Sequence, residues 1–341
     1  RAEELCVEAL EIKVKASGRG HPVMAELWNV LSAIQVHQGK LEPSFQHALQ
    51  AESVSREHIQ LISLALSERQ ALRYAATQKT GLDRALSLLD EDLSGEAERS
   101  CWDALVRSRA LVLDEMANRR QGLTRAEDPE TERLARELVL ISRRVANLAV
   151  QAYDPDRPEQ YREELRNSLE SKERIERQLA KKSLSYRRER SRVRAGLDEI
   201  ESALPPGSAL VAFVLYEHFS SPAKNDSKSS TQVGGQPSYM VFALTGNGSG
   251  LPRVSLGSAV EIDGLVEDWR DEVNRGSQSG SPHDRALEAR YREAGEKLRR
   301  RIWDPIAEHF RDSERVFVVP DGSLHLVSLA ALPAGEDKYL L

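Results

Sequence analysis

The sequence has few cysteines, few aromatic residues and no long apolar run. Its 341 residues include two cysteines, Cys6 and Cys101, which fall in separate helical segments. Neither has a second Cys or a His at the spacing of a metal-binding motif, so we expect two reduced structural thiols and no bound metal. Aromatic residues make up 5% of the chain and the net charge is −6. Stacking platforms and basic surface are therefore scarce, and nucleic acid is not an expected partner.

The sequence also lacks targeting signals. No segment reaches the roughly 20 apolar residues of a membrane span, and no basic start followed by an apolar stretch marks an export signal. We therefore expect no membrane association and a cytoplasmic location. The chain opens at Arg1 inside a helical pattern and stops just after Tyr339 inside a strand pattern, so we expect a longer protein at both ends.

Residues 1–55 have the pattern of a helical repeat. Two amphipathic helices, ending near Val36 and Ala51, flank a turn at Gly39, and the return helix carries the small residues Ser44 and Ala48. Small side chains let paired helices approach closely, which is typical of tetratricopeptide repeats. Such repeats bind proteins or peptides, and this is the partner class we expect.

Residues 56–200 are expected to form a helical stem. The predicted helices are Ile59 to Tyr74, Leu82 to Leu89, Glu96 to Gln121, Thr131 to Tyr153 and Pro158 to Ser183. The last two carry leucine-rich stripes at heptad spacing, the second of them with Leu165, Leu169 and Leu179, so they predict an antiparallel hairpin. The many Arg and Glu residues between the stripes are interpreted as a solvated face.

The pattern changes to strands after Leu204. Strands are predicted at Ser208 to Tyr216, Tyr239 to Thr245, Arg253 to Leu256 and Arg315 to Pro320, with helices at Val260 to Asn274 and Arg285 to Phe310, the latter kinked at Pro305. The polar stretch Ser220 to Gln236 is predicted to be a mobile insert. In the last strand we expect Val316 and Val318 to face one side and Phe317 and Val319 the other, all covered by helices. Strands interleaved with helices predict a mixed sheet with helical cover.

Asp321, Ser323 and His325 contain the residue types of a catalytic triad within five positions. On an extended segment these side chains point in parallel, whereas a triad needs them to converge, so catalysis by this trio is not expected. Asp321 is instead expected to close the turn after the strand with its own side chain. Cys101 lies in a helix without a local base to activate it, so it is not a predicted nucleophile. No catalytic, cofactor-binding or metal-binding residue is predicted in the chain.

Five segments follow the helical repeat and stem in this order: "LPPGSALVAFVLY", "YMVFALT", "VSLGSAVEIDGLVEDWR", "EKLRRRIWDPIAEHF" and "RVFVVPDGSLHLVSLAALPAGEDKYLL". Taken together, they resemble the first half of a CHAT domain. This caspase-like module is found behind tetratricopeptide repeats. The resemblance implies an α + α/β chain in which residues 201–341 form the N-terminal part of a caspase-like α/β sandwich, truncated at its C-terminus.

The resemblance also implies where the chemistry lies. Active members of the family resemble clan CD cysteine peptidases of the bacterial type with a His and Cys dyad, and both dyad residues lie beyond the strand that here begins at Tyr339. No residue of this chain inherits a catalytic role, and those that match, Pro320, Asp321, Gly322, Leu324 and Leu332, match as scaffold. Ser328 and Leu329 depart from the Pro-aromatic pair usual in the family.

Two functions stay open at this point. The complete protein is expected to be a cysteine endopeptidase, with this chain inactive alone. The alternative is a non-catalytic interaction scaffold whose CHAT domain has lost its dyad.

Overall fold

The computed structural model describes residues 1–17, 21–63, 66, 68–78, 81–91, 93, 95–109, 129–150, 158–182, 195–220, 234–246, 250–278, 285–335 and 338–340. These residues fall into two compact units, a helical unit that runs from Arg1 to Asp198 and a sheet unit that begins at Glu199. Most of the polar insert predicted at Ser220 to Gln236 lies outside the described residues, as does the end of the helix predicted from Glu96 to Gln121.

The helical unit is built from amphipathic helices in sequence. They are α1 (Ala2–Ser17), α2 (Pro22–His37), α3 (Leu41–Ser63), α4 (Glu68–Thr77), α5 (Leu82–Leu88), α6 (Glu96–Ser108), α7 (Pro129–Val150) and α8 (Pro158–Lys182). Helix α2 begins with Pro22, whose missing N–H costs nothing in the first turn. The side chain of His21 caps it by accepting the N–H of Val23 at 3.3 Å.

Small side chains lie at the contact between α2 and α3. Ala48 and Ala51 of α3 are fully buried, and the hydroxyls of Ser32 and Ser44 lie 2.9 Å apart. Helix α3 continues to Ser63, so the predictions that it ends at Ala51 and that a new helix spans Ile59 to Tyr74 are wrong. No Gly or Pro lies between Ala51 and Ser63, and the buried face of α3 repeats with helical spacing through Ile59.

Helices α7 and α8 pack against each other through an apolar seam. Leu134 of α7 and Ile175 and Leu179 of α8 are buried in it. Leu169, expected in the seam, is exposed, whereas Ser168 is buried. The reason is register, because Ser168 lies one heptad before Ile175 and so shares its stripe.

The sheet unit contains one four-stranded mixed sheet. Its strands are β1 (Ser208–His218), β2 (Gln236–Thr245), β3 (Arg253–Ser258) and β4 (Arg315–Val319), in the order β3-β2-β1-β4. Strands β1 and β2 are antiparallel, as are β2 and β3, whereas β1 and β4 are parallel. Helix α9 (Leu197–Ala203) precedes the sheet, and α10 (Ala259–Gln278), α11 (Arg285–Ile302) and α12 (Asp304–Ala307) lie between β3 and β4. The predicted class, helices followed by a mixed α/β sheet, is confirmed at this level.

The core of the sheet unit lies between the sheet and these helices. Val211 and Phe213 of β1 and Val241 of β2 pack in one cluster with Ile262 of α10 and Ile302 of α11. The opposite faces of β1 and β2 are buried as well, since Met240 and Phe242 have no exposed surface. Burial on both faces explains why these strands read as continuous apolar runs.

Strand β4 departs from the prediction of full helical cover. Val316 and Val318 pack against the core cluster, but Phe317 on the other face is 40% exposed. The physical reason is that β4 forms the edge of the described sheet, with β1 as its neighbour on one side. Tyr339, expected to begin another strand, forms a single antiparallel bridge with Pro333.

Candidate functional site

The parallel strands β1 and β4 end at the same edge of the sheet, where open α/β sheets place their sites. The chain turns there through Pro320, Asp321 and Gly322. One carboxylate oxygen of Asp321 accepts the N–H of Gly322 at 2.9 Å, and the other accepts the N–H of Leu215 in β1 at 3.0 Å. The first bond caps the 3-10 helix Gly322–Leu326. The predicted closure of this turn by the Asp321 side chain is therefore confirmed, and the same carboxylate also joins the turn to β1.

A second polar cluster lies under the turn and contains Tyr239, Asp263 and Ser323. The Tyr239 hydroxyl donates to Oδ1 of Asp263 at 3.1 Å, and the Ser323 hydroxyl donates to the same oxygen. The N–H of Ser323 in turn donates to the Tyr239 oxygen at 2.9 Å. Strand β2, helix α10 and the turn after β4 each supply one member, so the cluster ties three elements together.

The phenol of Tyr239 is held in its neutral form. Burial raises its pKa above the ordinary value, and the nearby Asp263 carboxylate acts in the same direction, against hydrogen bonds from Ser323 that lower it. Gly322 has φ of 53°, and a Cβ there would collide with the Tyr239 hydroxyl. Both the left-handed backbone and the close contact therefore require glycine. This arrangement fixes the turn and uses the hydroxyls of Tyr239 and Ser323 in internal hydrogen bonds.

The structure does not assemble Asp321, Ser323 and His325 into a triad. Asp321 accepts two backbone amides, and the Ser323 hydroxyl donates to Asp263, while the side chain of His325 points to solvent. A triad needs the serine hydroxyl on the imidazole and the imidazole on the carboxylate. The contacts observed are those of a turn held in place.

Both cysteines are free and buried in the helical unit. Cys101 lies in α6 and has no exposed surface. The Sγ of Cys6 donates weakly to the carbonyl of Leu27 at 3.5 Å, and burial raises the pKa of its thiol. Reactive cysteines need a lowered pKa and access to substrate, so these thiols have the environment of structural residues.

A charged cleft in the helical unit is lined mainly by α3 and α6 and encloses about 410 Å³. Glu52 is buried, and its burial raises its pKa, although its ion pair with Arg56 at 2.9 Å opposes the effect. Asp103 is the other carboxylate of interest. Burial would raise its pKa, but hydrogen bonds from Arg107 at 2.7 Å and from the N–H of Leu197 at 2.9 Å prevail and lower it. The cleft is thus occupied by internally paired charges.

Asp103 also anchors the segment that leads into α9. By accepting the N–H of Leu197, the first residue of α9, it satisfies a donor that the helix itself leaves unpaired. Gly196 passes so close that a Cβ there would collide with the Asp103 carboxylate and with Arg107. The residue type at position 196 is therefore set by this contact.

Within the described ranges, no cluster of three or more His, Cys, Asp and Glu side chains is arranged to hold a metal ion. None of the described helices has both the length and the apolar character needed to cross a bilayer. Comparison with known proteins identifies no relative, since no family model, no curated protein and no solved structure matches the chain.

Proposed function

We propose that the chain belongs to a CHAT-type protein, in which a tetratricopeptide-like helical unit binds a protein partner and the sheet unit forms the front of a caspase-like sandwich. In this proposal the chain itself carries no peptidase chemistry. The catalytic His and Cys of an active family member would belong to sequence that follows Tyr339.

The observation that carries the proposal is the geometry at the carboxyl end of the β1 and β4 pair. A parallel pair needs a crossover connection, and here α10 to α12 supply part of it. The turn that follows β4 is held by Asp321 and by Tyr239, and β4 lies at the sheet edge with Phe317 exposed. A rigid edge of this kind is suited to support further strands and the loops that carry reactive groups.

A peptidase of this type would use a thiolate activated by the neighbouring imidazole, with backbone amides stabilising the oxyanion. The alternative is an interaction scaffold without a dyad. One observation favours it for the described residues, namely that the polar side chains at the β4 turn are engaged with one another or with backbone amides. Fold alone does not decide between them, because function is carried by the site.

The proposal is tested by thiol reactivity and peptide cleavage on the 341-residue chain. We expect no turnover of fluorogenic peptide libraries or of casein. We also expect iodoacetamide to label both cysteines slowly in the native state and rapidly in urea. Cys6→Ala and Cys101→Ala are expected to leave the absence of turnover unchanged. Turnover that disappears in Cys101→Ala would contradict the proposal, because it would give the chain its own nucleophile.

A further inference from the structure

An open groove runs along the hairpin of α7 and α8 and encloses about 550 Å³. On α7 it is lined by a stripe of residues at positions 133, 137, 140 and 144, and on α8 by positions 171, 174 and 178. The spacings of four, three and four on α7 form a second stripe beside the apolar seam, about three turns or 16 Å long. This length and shape suit one short helix lying along the pair.

The groove exposes one large apolar side chain. Leu140 is 66% exposed, the half-buried Ile141 lies beside it, and Ile175 lines the groove from its buried position in the seam. An exposed leucine alone needs no explanation, but here it stands over two further apolar side chains in one concave surface. A helix docked in the groove would bury this surface with leucine-sized side chains on one face.

The walls of the groove carry excess positive charge. Arg133 pairs with Glu137 at 3.1 Å. Arg174 donates to the hydroxyl of Ser171 at 2.8 Å, and neither it nor Arg144 forms an ion pair within the described part of the chain. Among the described residues, two arginines of the groove therefore have no carboxylate partner, although the net charge of the chain is −6.

Ion pairing alone does not set the groove apart from the rest of the hairpin surface. Outside the groove, Arg136, Lys172 and Arg177 each pair with a glutamate one turn away on the same helix, and such pairs neutralise a solvated face. Arg143, exposed and outside the groove lining, forms no ion pair within the described residues either. The groove is distinguished because its two arginines without an ion pair flank an exposed leucine on one concave surface.

We propose that this groove is a docking site for an acidic amphipathic helix of a partner protein. Its leucines would cover Leu140 and Ile141, and its carboxylates would pair with Arg144 and Arg174. Charge complementarity selects this occupant, because a basic or neutral helix would leave both guanidinium groups without partners while covering the same apolar floor. The proposal rests on the hairpin alone and is independent of the CHAT resemblance.

The test uses a fluorescein-labelled synthetic helix of about 14 residues, with leucines at helical spacing on one face and glutamates beside them. A version with lysine in place of glutamate serves as the control peptide. Fluorescence polarisation is expected to show that the acidic peptide binds. Its affinity is expected to fall at least tenfold in the double variant Arg144→Glu, Arg174→Glu. A rise in salt from about 0.05 to 0.5 M is expected to weaken the affinity by at least the same factor. The lysine peptide is expected not to bind.

Matched variants outside the groove separate specific docking from general charge. Arg143→Glu makes the charge change of one of the two groove substitutions on the neighbouring, exposed residue of α7 and is expected to change affinity less than about twofold. Leu140→Ala is expected to weaken binding about tenfold, whereas Val139→Ala, 37% exposed but outside the groove lining, is not. All five substituted side chains, including Arg144 and Arg174, are exposed, so the helical content measured by circular dichroism is expected to stay constant.

Four results would overturn the proposal. The first is failure of the acidic peptide to bind, and the second is equal binding of the lysine peptide. The third is loss of affinity in Arg143→Glu as large as in the double variant. The fourth is a different occupant, shown either by single-stranded RNA that binds the groove more tightly than the peptide or by self-association of the chain that the double variant abolishes.

Discussion

The hydroxyl of Tyr239 is the most informative single group to remove. Tyr239→Phe keeps the buried ring but deletes one oxygen that donates to Asp263 at 3.1 Å and accepts the N–H of Ser323 at 2.9 Å. The bond to Asp263 is a hydrogen bond to a carboxylate, and loss of the bond from Ser323 leaves its partly buried N–H without an acceptor. We expect the free energy of unfolding of the sheet unit to fall by about 2 kcal/mol, with Asp263 retaining its bond from the Ser323 hydroxyl.

Tyr339→Phe deletes the same atom from an exposed phenol and serves as the control. Tyr339 is 43% exposed, and its hydroxyl lies 3.5 Å from Nη2 of Arg292. Because water can replace that contact, we expect a loss below about 0.5 kcal/mol.

Hydrogen exchange followed by mass spectrometry measures both variants in the intact chain. The amides of β2 and of the turn at Gly322–Leu326 are expected to exchange about 30-fold faster in Tyr239→Phe, the change that about 2 kcal/mol produces. In Tyr339→Phe they are expected to exchange at the unaltered rate. Equal rates in the two variants would show that the cluster under the turn contributes no more stability than an exposed hydroxyl does.

Three further predictions concern packing, a close contact and pH. Val318→Asp places a charge against the apolar core and is expected to lower the stability of the sheet unit by about 3 kcal/mol in urea denaturation, whereas Phe317→Asp on the exposed face costs under about 1 kcal/mol. Gly196→Ala is expected to displace the Asp103 carboxylate and to lower the free energy of unfolding by about 1 to 2 kcal/mol. Its control is Gly264→Ala, because a Cβ added there, inside α10, meets open space. That substitution is expected to raise the free energy of unfolding by up to about 1 kcal/mol. The pKa of Asp103 is lowered from 3.8 in the folded protein, so the ionised carboxylate stabilises the fold above pH 3.8. This contribution is lost as pH falls through the folded-state pKa. Asp103→Asn is therefore expected to flatten the acid limb of the profile of stability against pH.

Each of these has a contradicting outcome. Equal destabilisation by Val318→Asp and by Phe317→Asp would mean that β4 has no exposed face. A neutral effect of Gly196→Ala would show that the contact beneath it is loose. An unchanged acid limb in Asp103→Asn would mean that this carboxylate contributes no pH-dependent stability.

The strands of the sheet were predictable because burial on both faces selects apolar, β-branched runs. The positions of β1, β2, β3 and β4 follow the sequence pattern to within a few residues. The edge position of β4 was not predictable, since a central and an edge strand share the same local pattern and differ in their neighbours. The exposure of Phe317 follows from that position.

The candidate site was predictable only in its local part. Asp321 caps the residue that follows it, which is a short-range property of an Asp-Gly turn. The cluster of Tyr239, Asp263 and Ser323 joins residues that lie 24, 60 and 84 positions apart. No spacing rule connects such positions, so only the paired strands and the packed helix bring them together.

The groove on the hairpin could not be separated from its surroundings by sequence either. Arginine and glutamate recur along both helices, and composition alone predicts a uniformly solvated face. Helical spacing alone does not decide which arginines pair with a glutamate, because Arg174 has Glu170 four residues before it and still donates to Ser171. The register of α7 against α8 decides which of the remaining arginines share a concave surface, as Arg144 and Arg174 do.

In the proposed function, the sheet unit is the front of a CHAT-like sandwich that continues beside β4. We would examine this with a crystal structure of the protein expressed from the complete reading frame. We expect a further strand paired with β4, burial of Phe317, and residues after Leu341 at the sheet edge near Asp321. A His and a Cys there would support the peptidase, and their substitution would support the scaffold. The proposal would be wrong if the reading frame ended near Leu341, or if β4 were still the edge strand and Phe317 still exposed.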